Sequence, residues 1–412
     1  MSDMDKIRQQ KHLQDLKLTA LLEVTKAINN NFSTAQLLQL YQDILQKRLG
    51  VGRLVLFLET HGEWNCILKY GLKDEFESVS FEKELLAIHE IESVTYAQGH
   101  LTKHFEIVIP VFHKKQALAY VLLSDVNPLE LEMSAAIKHL PYVQTLTNLI
   151  VVAIENKKLF KENIERVKMI KELELAQNMQ QMLFPQYLPH SEVLKVAAKY
   201  TPHQQVGGDY YDFLQLNNHE FIFCIADVSG KGIPAALLMS NIQATLHSLI
   251  NYTHNLKDII LELNKRVNAN THNEKFVSMF LGKINTKSQQ LTYINAGHNP
   301  PIFYYDHKFT ELSKGCTLLG ISESLRDIEV ETFEYAGKFC LVCYTDGLTD
   351  TVNAQNNAVE LDVLKKLILD NIENDPEQIN NALFHYAENF KGELDFPDDI
   401  ALLTLKVSDL VF

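Results

Sequence analysis

Apolar residues recur at helical spacing in two stretches near the start of the chain. Residues 4–30 have this spacing and predict one helix, which ends at a run of three asparagines, 29–31. Ser33 and Gln36 then have the spacing of a capping box, in which each side chain binds the backbone N–H of the other residue. They predict a second helix that begins there and stops at Gly50.

Short apolar runs typical of strands come next in the chain. The runs are 53–59, 64–70, 105–112 and 117–124. Residues 113–116 are polar and predict a hairpin turn between the last two runs. Two helices, an antiparallel sheet and a closing helix resemble a GAF domain, so residues 1–140 are interpreted as a GAF-like α/β sensor domain. The resemblance implies a small-molecule or protein signal at this domain, although no motif names a ligand.

A long helix is predicted after this domain, because residues 141–183 contain no glycine and only one proline, at the start. Phe184 and Pro185 should end it. Apolar positions step by four and three in two successive frames. The first frame contains Leu146, Ile150, Ala153, Lys157, Phe160, Ile164 and Val167. The second frame contains Met169, Leu173, Ala176, Gln180 and Leu183.

The two frames change phase between Val167 and Met169, and two interpretations of this change stay open. One is a signalling helix with two competing registers, and the other is a gently bent helix packed on its neighbours. In both cases residues 141–185 are interpreted as a coiled-coil linker. Its apolar stripe would be left in water in a monomer, so a homodimer is expected.

Strand-like runs and helices share the rest of the chain, residues 186–412, without the regular alternation of a parallel α/β fold. Pro234 suits the first turn of a helix that runs to about residue 252, and a second helix fits residues 256–270. Strands are expected at 277–284 and 290–295. This pattern predicts an α+β fold, in which antiparallel sheets have helices outside them.

Composition narrows the class of protein. The chain has 412 residues, of which 46% are hydrophobic, so it can bury two domain cores. Its net charge is −14 and its pI about 5.6, and a nucleic-acid binder would normally carry a basic face. The first residues lack a signal-peptide pattern, and no apolar run approaches the roughly 18 residues of a membrane span. A cytoplasmic protein without a membrane span and without a nucleic-acid partner is predicted.

Cys340 and Cys343 form a C-x-x-C pair, which can indicate zinc binding or redox chemistry. There is no second pair, and residues three apart in a strand face opposite sides, so two core residues are the favoured interpretation. No cysteine is followed by an arginine six positions later. The arrangement of a cysteine-dependent phosphatase is therefore missing.

Aspartates stand at the ends of several apolar, strand-like runs: Asp209, Asp227, Asp346 and Asp398. A rigid sheet holds a carboxylate at a strand end while leaving it in contact with solvent. Several such carboxylates converging make an all-oxygen site, which suits Mg²⁺ or Mn²⁺. Two such ions are the basis of one class of hydrolase.

Five motifs, four of which contain these aspartates, occur in a fixed order. They are GGDYYD at 207–212, DVSGKGIPAA at 227–236, NAGHNPP at 295–301, YTDG at 344–347 and DDI at 398–400. Together they resemble the SpoIIE/RsbU-type branch of the metal-dependent (PPM) serine/threonine phosphatases, over about residues 190–408. The resemblance implies a β-sandwich with helices on both faces and a site for two Mn²⁺ or Mg²⁺ ions.

The same resemblance assigns ligands to these ions. It implies that Asp227 bridges both metals, together with the backbone carbonyl of Val228. Asp346 and Asp398 would complete the first metal, and Asp209 would belong to the second. These four aspartates form the implied catalytic set.

Further residues would surround the ligands. Asp399 stands where the family has a polar orienting residue, and Asp350 stands where the family usually has glutamate. Asp212 is expected to shape the site, and Gly230 to let the backbone pass close to the metals. Lys231 is either a phosphate contact or an exposed loop lysine. His298 is either a general acid or a structural residue.

The resemblance also implies a function. The substrate would be a phosphoserine or phosphothreonine on a small STAS-type anti-sigma-factor antagonist, a phosphorylated regulatory protein. Residues 174–185 resemble the switch helix that precedes the phosphatase fold in this family, so the N-terminal domain would regulate activity. The alternatives are an inactive scaffold that binds the same partner, and a metal-dependent enzyme acting on another phosphate ester.

Overall fold

The computed structural model describes residues 3–60, 62–72, 85–93, 105–124, 139–272 and 274–408. The chain forms two compact units, Met1–Val167 and Lys168–Phe412.

The first unit begins with helix α1 (Asp3–Asn29) and helix α2 (Thr34–Asp43), which continues as a π-helical turn (Ile44–Arg48). The predicted capping box is confirmed. The Gln36 N–H donates to Ser33 Oγ at 3.3 Å, and the Ser33 N–H donates to Gln36 Oε1 at 2.8 Å. The start of α2 is therefore determined by two residues only three apart.

The sheet of this unit is antiparallel, as the sequence predicted. Its strands are β1 (Arg53–Thr60), β2 (Glu63–Tyr70), β3 (Glu92–Ser93), β4 (Ile107–His113) and β5 (Gln116–Ser124). They lie in the order β2-β1-β5-β4-β3. His113 pairs with Gln116, which confirms the predicted hairpin turn. The resemblance to a GAF domain stays a prediction.

The predicted long helix is α3 (Leu140–Gln181), with 42 residues. Its first turns belong to the core of the first unit, where Val143 and Leu146 are fully buried and the hydroxyl oxygens of Tyr41 and Thr147 lie 2.6 Å apart. Further along, the apolar residues are exposed. They include Leu159, Phe160, Ile164, Val167, Met169, Ile170, Leu175 and Met179.

The second unit contains eleven strands and five helices among its described residues. The strands are β6 (Leu194–Thr201), β7 (Tyr210–Gln215), β8 (Glu220–Val228), β9 (Val277–Asn285), β10 (Gln290–Ala296), β11 (Ile302–Tyr305), β12 (Lys308–Glu311), β13 (Gly315–Cys316), β14 (Glu331–Glu334), β15 (Phe339–Tyr344) and β16 (Ile400–Val407). The helices are α4 (Ile233–Ile250), α5 (Leu256–Thr271), α6 (Asp346–Thr349), α7 (Leu361–Asp370) and α8 (Pro376–Lys391). The predicted helices and strands in residues 234–295 are confirmed.

Two sheets form a sandwich, as the family resemblance implied. One has the order β13-β10-β9-β8-β7, with β14 paired to β10, and the other has the order β12-β11-β15-β16-β6. Alternate residues of each strand face opposite sides. Phe223 of β8 and Leu341 of β15 therefore meet in the core between the sheets, while α4 and α5 cover one outer face and α7 and α8 the other. Pairing is antiparallel except for the short β10–β13 contact.

Cys340 and Cys343 are both buried and free, and they lie on opposite faces of β15. Cys340 packs under α7 and α8, whereas Cys343 packs between the sheets. The interpretation of this pair as core residues agrees with that placement.

Helix α4 was predicted, but its length and apolar composition differ from the expectation that no segment approaches a membrane span. It is the one helix in the described parts of the chain that is long and apolar enough to cross a membrane, and 33% of it is buried. Its buried residues, including Met239 and Ile242, pack in the core formed with the first sheet. Core helices of soluble domains meet the same criteria, so this helix is a weak indication of a membrane span.

Candidate metal centre

Four strand ends meet at one edge of the sandwich. Asp209 directly precedes β7 and Asp227 is the penultimate residue of β8, and these strands pair so that Tyr210 faces Ala226. In the other sheet, Asp346 follows β15 and Asp398 precedes β16, which pair so that Tyr344 faces Leu402. Antiparallel pairing brings two aspartates together in each sheet, and the packing of one sheet on the other places all four at the same edge.

Asp209 is buried, and its carboxylate is hydrogen-bonded to a residue that directly follows a strand of the other sheet. The Thr345 hydroxyl donates to Asp209 Oδ2 at 2.6 Å and itself accepts the Ala401 N–H at 2.8 Å. Burial, followed by the charges of Asp227 and Asp399, raises the pKa of Asp209 well above its usual value. This carboxylate would be ionised more easily beside a cation.

The neighbouring carboxylates repel each other in the same way. Burial, followed by the charges of Asp346 and Asp398, raises the pKa of Asp227 to about 7. Burial and then the charge of Asp350 raise the pKa of Asp346. A group of buried and half-buried carboxylates with this mutual repulsion is the donor set that a hard divalent cation stabilises.

Asp399 holds the loop that carries Asp209. Its Oδ1 accepts the His203 N–H at 2.7 Å and its Oδ2 accepts the Gly208 N–H at 2.6 Å. Gly208 is needed at this point, because a Cβ atom there would lie 2.9 Å from the carbonyl oxygen of Val228. The loop can therefore approach the Val228 carbonyl, which the family resemblance implies is a metal ligand.

Lys231 has a partner that the sequence did not reveal. Its Nζ lies 2.8 Å from Asp398 Oδ2 and also donates to the carbonyl oxygen of Pro397. Among the described residues, no three acidic, histidine or cysteine side chains already surround a common point as metal ligands do. The carboxylates fit a divalent metal by their chemistry, and Lys231 would compete with that metal for Asp398 Oδ2.

Asp350 stands next to the cluster, directly after the short helix α6. Its N–H donates to the Asp346 carbonyl oxygen at 2.7 Å, and its charge contributes to the raised pKa of Asp346. The aspartate thus lies beside one predicted ligand.

Asp212 makes its hydrogen bonds elsewhere. Its Oδ2 accepts the Tyr210 hydroxyl, and His247 Nε2 of α4 lies 2.6 Å from the same oxygen. The Phe213 N–H donates to its Oδ1 at 2.7 Å. The sequence analysis placed Asp212 around the metals, whereas its hydrogen bonds in the structure connect β7 to α4. The hydrogen bond to Asp212 raises the pKa of His247.

His298 is buried inside the sandwich, with 5% of its surface exposed. Its ring Nδ1 lies 2.7 Å from Ser278 Oγ, and its backbone N–H donates to Asn295 Oδ1 at 2.7 Å. Burial lowers the pKa of His298 to about 4, so the ring is neutral near pH 7. Of the two interpretations of this residue, the structural one agrees with these contacts.

Gln180 is a residue near the site whose role sequence analysis missed. This side chain is buried near the end of α3, where its Nε2 donates to the Gly207 carbonyl at 2.7 Å and its Oε1 accepts the Gly207 N–H at 3.2 Å. Just beyond, the Phe184 ring packs 4.9 Å from Tyr200 and 4.8 Å from Tyr211. The sequence did contain a signal for this role, because Gln180 is a polar residue at a position of the second heptad frame that is normally apolar.

Comparison with known proteins agrees with this geometry. Residues 217–408 match the family described as stage II sporulation protein E (SpoIIE). The chain is 31% identical over 237 residues to phosphoserine phosphatase RsbU of Bacillus subtilis (strain 168), an alignment that covers 57% of this chain and 70% of RsbU. It is 26% identical over 197 residues to phosphoserine phosphatase RsbP of the same organism, which covers 46% of this chain and 47% of RsbP.

A solved structure shows the same fold. The SiaA-PP2C domain of Pseudomonas aeruginosa superposes with a TM-score of 0.52 at 18% identity, covering 58% of this chain and 97% of that domain. A PP2C-type sandwich with carboxylates at one edge defines the class of metal-dependent phosphatases. Within that class, the chain belongs to the SpoIIE/RsbU-type serine/threonine phosphatases, as its motifs indicated.

Proposed function

We propose that this protein hydrolyses phosphoserine or phosphothreonine on a phosphorylated regulatory protein of the STAS type, in the cytoplasm. The observation that carries the proposal is the retention of Asp209, Asp227, Asp346 and Asp398 at one edge of the sandwich. The similarity to RsbU and RsbP, both named phosphoserine phosphatases, supports the substrate class. An inactive scaffold would have no need to keep the full set of mutually repelling carboxylates.

The proposed ligands are those that the family resemblance implies. Asp346, Asp398 and Asp227 would hold one Mn²⁺ or Mg²⁺, and Asp227, the Val228 carbonyl and Asp209 would hold a second. When bound, such ions supply a water of lowered pKa and neutralise charge on the phosphoryl oxygens.

The surrounding residues have defined tasks in this proposal. Thr345 orients Asp209 through its hydroxyl hydrogen bond. Asp399 holds the 203–208 loop in place through two backbone N–H groups. Asp350 adds negative charge beside Asp346, and Gly230 would let the backbone pass close to the metals.

The cysteines offer no competing nucleophile. A thiol attacks as its thiolate, which requires a lowered pKa. Burial instead raises the pKa of all five thiols, which are Cys66, Cys224, Cys316, Cys340 and Cys343. Attack by an activated water therefore suits this site better than a phosphocysteine intermediate.

Regulation by the N-terminal unit is the second part of the proposal. The GAF-like domain would receive a small-molecule or protein signal and pass it along α3. The exposed apolar residues of α3, such as Ile164 and Val167, support a homodimer through this coiled-coil linker. A clean monomer at micromolar concentration in analytical ultracentrifugation would contradict the dimer.

The test is phosphate release by the full chain from a phosphorylated STAS-domain protein, with Mn²⁺ added. We expect turnover that EDTA abolishes, and much slower release from a nucleotide such as ATP. Faster release from the nucleotide would favour the alternative of another phosphate ester. No release from any phosphate compound, with Mn²⁺ bound, would favour the scaffold.

A further inference from the structure

We propose that a groove between α4 and the end of α5 docks the substrate protein, by receiving an apolar side chain close to its phosphorylated residue. Nine residues line the docking groove, among them Pro234, Leu237, Asn241, Asn270, Glu274 and Lys275, and its volume is about 390 Å³. This inference rests on the proposed phosphoprotein substrate and adds where that substrate is recognised.

The docking groove is a formed feature of the fold. Asn270 Nδ2 donates to Asn241 Oδ1 at 3.0 Å, which connects the α4 wall to the α5 wall. Helix α5 ends at Thr271 and is capped by His272, whose φ of +50° lies in the left-handed region. Helix α4 begins directly after Gly232 and has Pro234 in its first turn. Both walls are therefore defined by helix ends.

The groove also lies next to the loop that follows Asp227 of the candidate metal centre. The loop after Asp227 pairs with the segment after α5, since the Ser229 N–H donates to the Phe276 carbonyl at 2.9 Å and the Phe276 N–H donates to Ser229 Oγ at 3.0 Å. Gly230 has a φ of +93°, and a Cβ atom there would lie 2.5 Å from Lys275 Nζ. Lys275 therefore stands between the loop at the metal centre and the docking groove.

The exposed side chains around the groove identify a protein as the occupant. Ile233, Leu237 and Phe276 expose 48%, 67% and 45% of their surfaces, although they are large and apolar. Apolar side chains beside charged and polar ones are typical of the centre and rim of a protein interface. A phosphate group alone would gain nothing from them, whereas a phosphoprotein presents neighbouring side chains.

Distance and charge specify the position of the recognised side chain. Leu237 follows Gly232 by five residues, which is about 7.5 Å along a helix. In this proposal the phosphorylated residue lies over the loop that ends at Gly232. Because an extended peptide advances about 3.3 Å per residue, the apolar side chain at Leu237 should lie about two or three residues from the phosphorylated one. Lys275 places a positive charge on the side of the groove next to the loop after Asp227, and Glu274 places a negative charge in the same groove.

The test compares two substrates for one enzyme. In the full chain with Mn²⁺, kcat/KM is measured for the phosphorylated STAS-domain protein and for para-nitrophenyl phosphate. Leu237→Asp is expected to lower the ratio of these two constants at least tenfold, mainly by raising KM for the protein. Leu237→Ser should lower the ratio less, because it removes the apolar group without adding charge. Leu261→Asp is the matched control, since Leu261 is an exposed leucine of α5 outside the groove.

The outcomes separate the two proposals. If wild-type protein hydrolyses the phosphoprotein and Leu237→Asp keeps the same ratio, the docking groove is refuted while the proposed function stands. If wild type hydrolyses only the small ester, the proposed substrate and the docking groove are both refuted. If Leu261→Asp lowers the ratio as much as Leu237→Asp, the effect is general surface charge and the groove is again refuted.

Discussion

The side-chain amide of Gln180 binds both backbone polar groups of Gly207, its Nε2 donating to the carbonyl oxygen at 2.7 Å and its Oε1 accepting the N–H at 3.2 Å. Gly207 is two residues before Asp209, and the N–H of the next residue, Gly208, is bound to Asp399. The end of α3 is thus hydrogen-bonded to the loop that positions a proposed metal ligand. A displacement of the end of α3 would therefore act on the Asp209 carboxylate through the backbone of Gly207 and Gly208.

Gln180→Ala should therefore weaken Mn²⁺-dependent activity. The substitution leaves two buried backbone groups without their partner, at a cost of about 1–3 kcal/mol. We expect the Mn²⁺ concentration for half-maximal phosphate release to rise by roughly fivefold to a hundredfold, because the loop loses its anchor. Gln181→Ala is the control, since Gln181 is exposed and adjacent in the sequence. Equal Mn²⁺ dependence of the two variants would contradict this role for Gln180.

Asp227→Asn and Asp346→Asn should each abolish turnover and leave the fold intact. Each replaces a charged oxygen ligand by a neutral amide of the same shape, which a hard cation binds poorly. Phosphate release, calorimetric Mn²⁺ titration and circular dichroism together check this. Asp370→Asn, on the exposed end of α7, should behave as wild type. A near-normal rate in either ligand variant with Mn²⁺ still bound would overturn the assignment.

Lys231→Met should tighten Mn²⁺ binding by a small factor. In the structure Lys231 competes with a metal for Asp398, but both side chains are partly exposed, at 42% and 36%. Pairs of this kind contribute about 0.2–1 kcal/mol, so the expected gain in affinity is at most about fivefold. Calorimetry with Mn²⁺ measures it. If the variant instead raises KM for the phosphoprotein at unchanged Mn²⁺ affinity, the lysine acts as a phosphate contact.

The pair of His247 and Asp212 should make the α4 contact depend on pH. The hydrogen bond to Asp212 raises the pKa of His247 above its ordinary value of 6.5. Its stabilising contribution is therefore fully present below the unfolded pKa and is lost as pH rises through the higher folded pKa. Because the His247 side chain is 42% exposed, screening should keep the contribution below about 1 kcal/mol.

Hydrogen exchange of α4 amides in wild type and His247→Gln measures this effect. At pH 6 the α4 amides of wild type should be better protected than those of the variant, and at pH 8.5 the difference should shrink. A difference that is equal at both pH values would show that the pair acts through neutral hydrogen bonding alone.

Insertions of one to four residues after Val167 should change phosphatase rate in a length-dependent manner. The two heptad frames meet there, and a continuous coiled coil cannot satisfy both at once. An insertion that merges the frames should lock activity high or low without touching the carboxylates. Phosphate release across the series is the measurement, with sedimentation as the check that the oligomeric state is kept. A flat response would mean that α3 is only a tether.

Local patterns in the sequence were enough to place most helices and strands. The Ser33–Gln36 capping box and the start of α4 at Pro234 depend on residues within one helical turn. The four strand-end aspartates were also identifiable, because each lies within two residues of an apolar run and belongs to a short motif. In all these cases the atoms that make the interaction are close along the chain.

The partners of the site residues depend on contacts that no local pattern encodes. Asp399 and Gly208 are 191 positions apart, Asp212 and His247 are 35 apart, and Gln180 and Gly207 are 27 apart. Whether an aspartate binds a backbone N–H, a histidine or a lysine depends on which strand or helix packs beside it. Side-chain hydrogen bonds reach about 3 Å, so these pairings exist only after the sandwich has brought distant segments together.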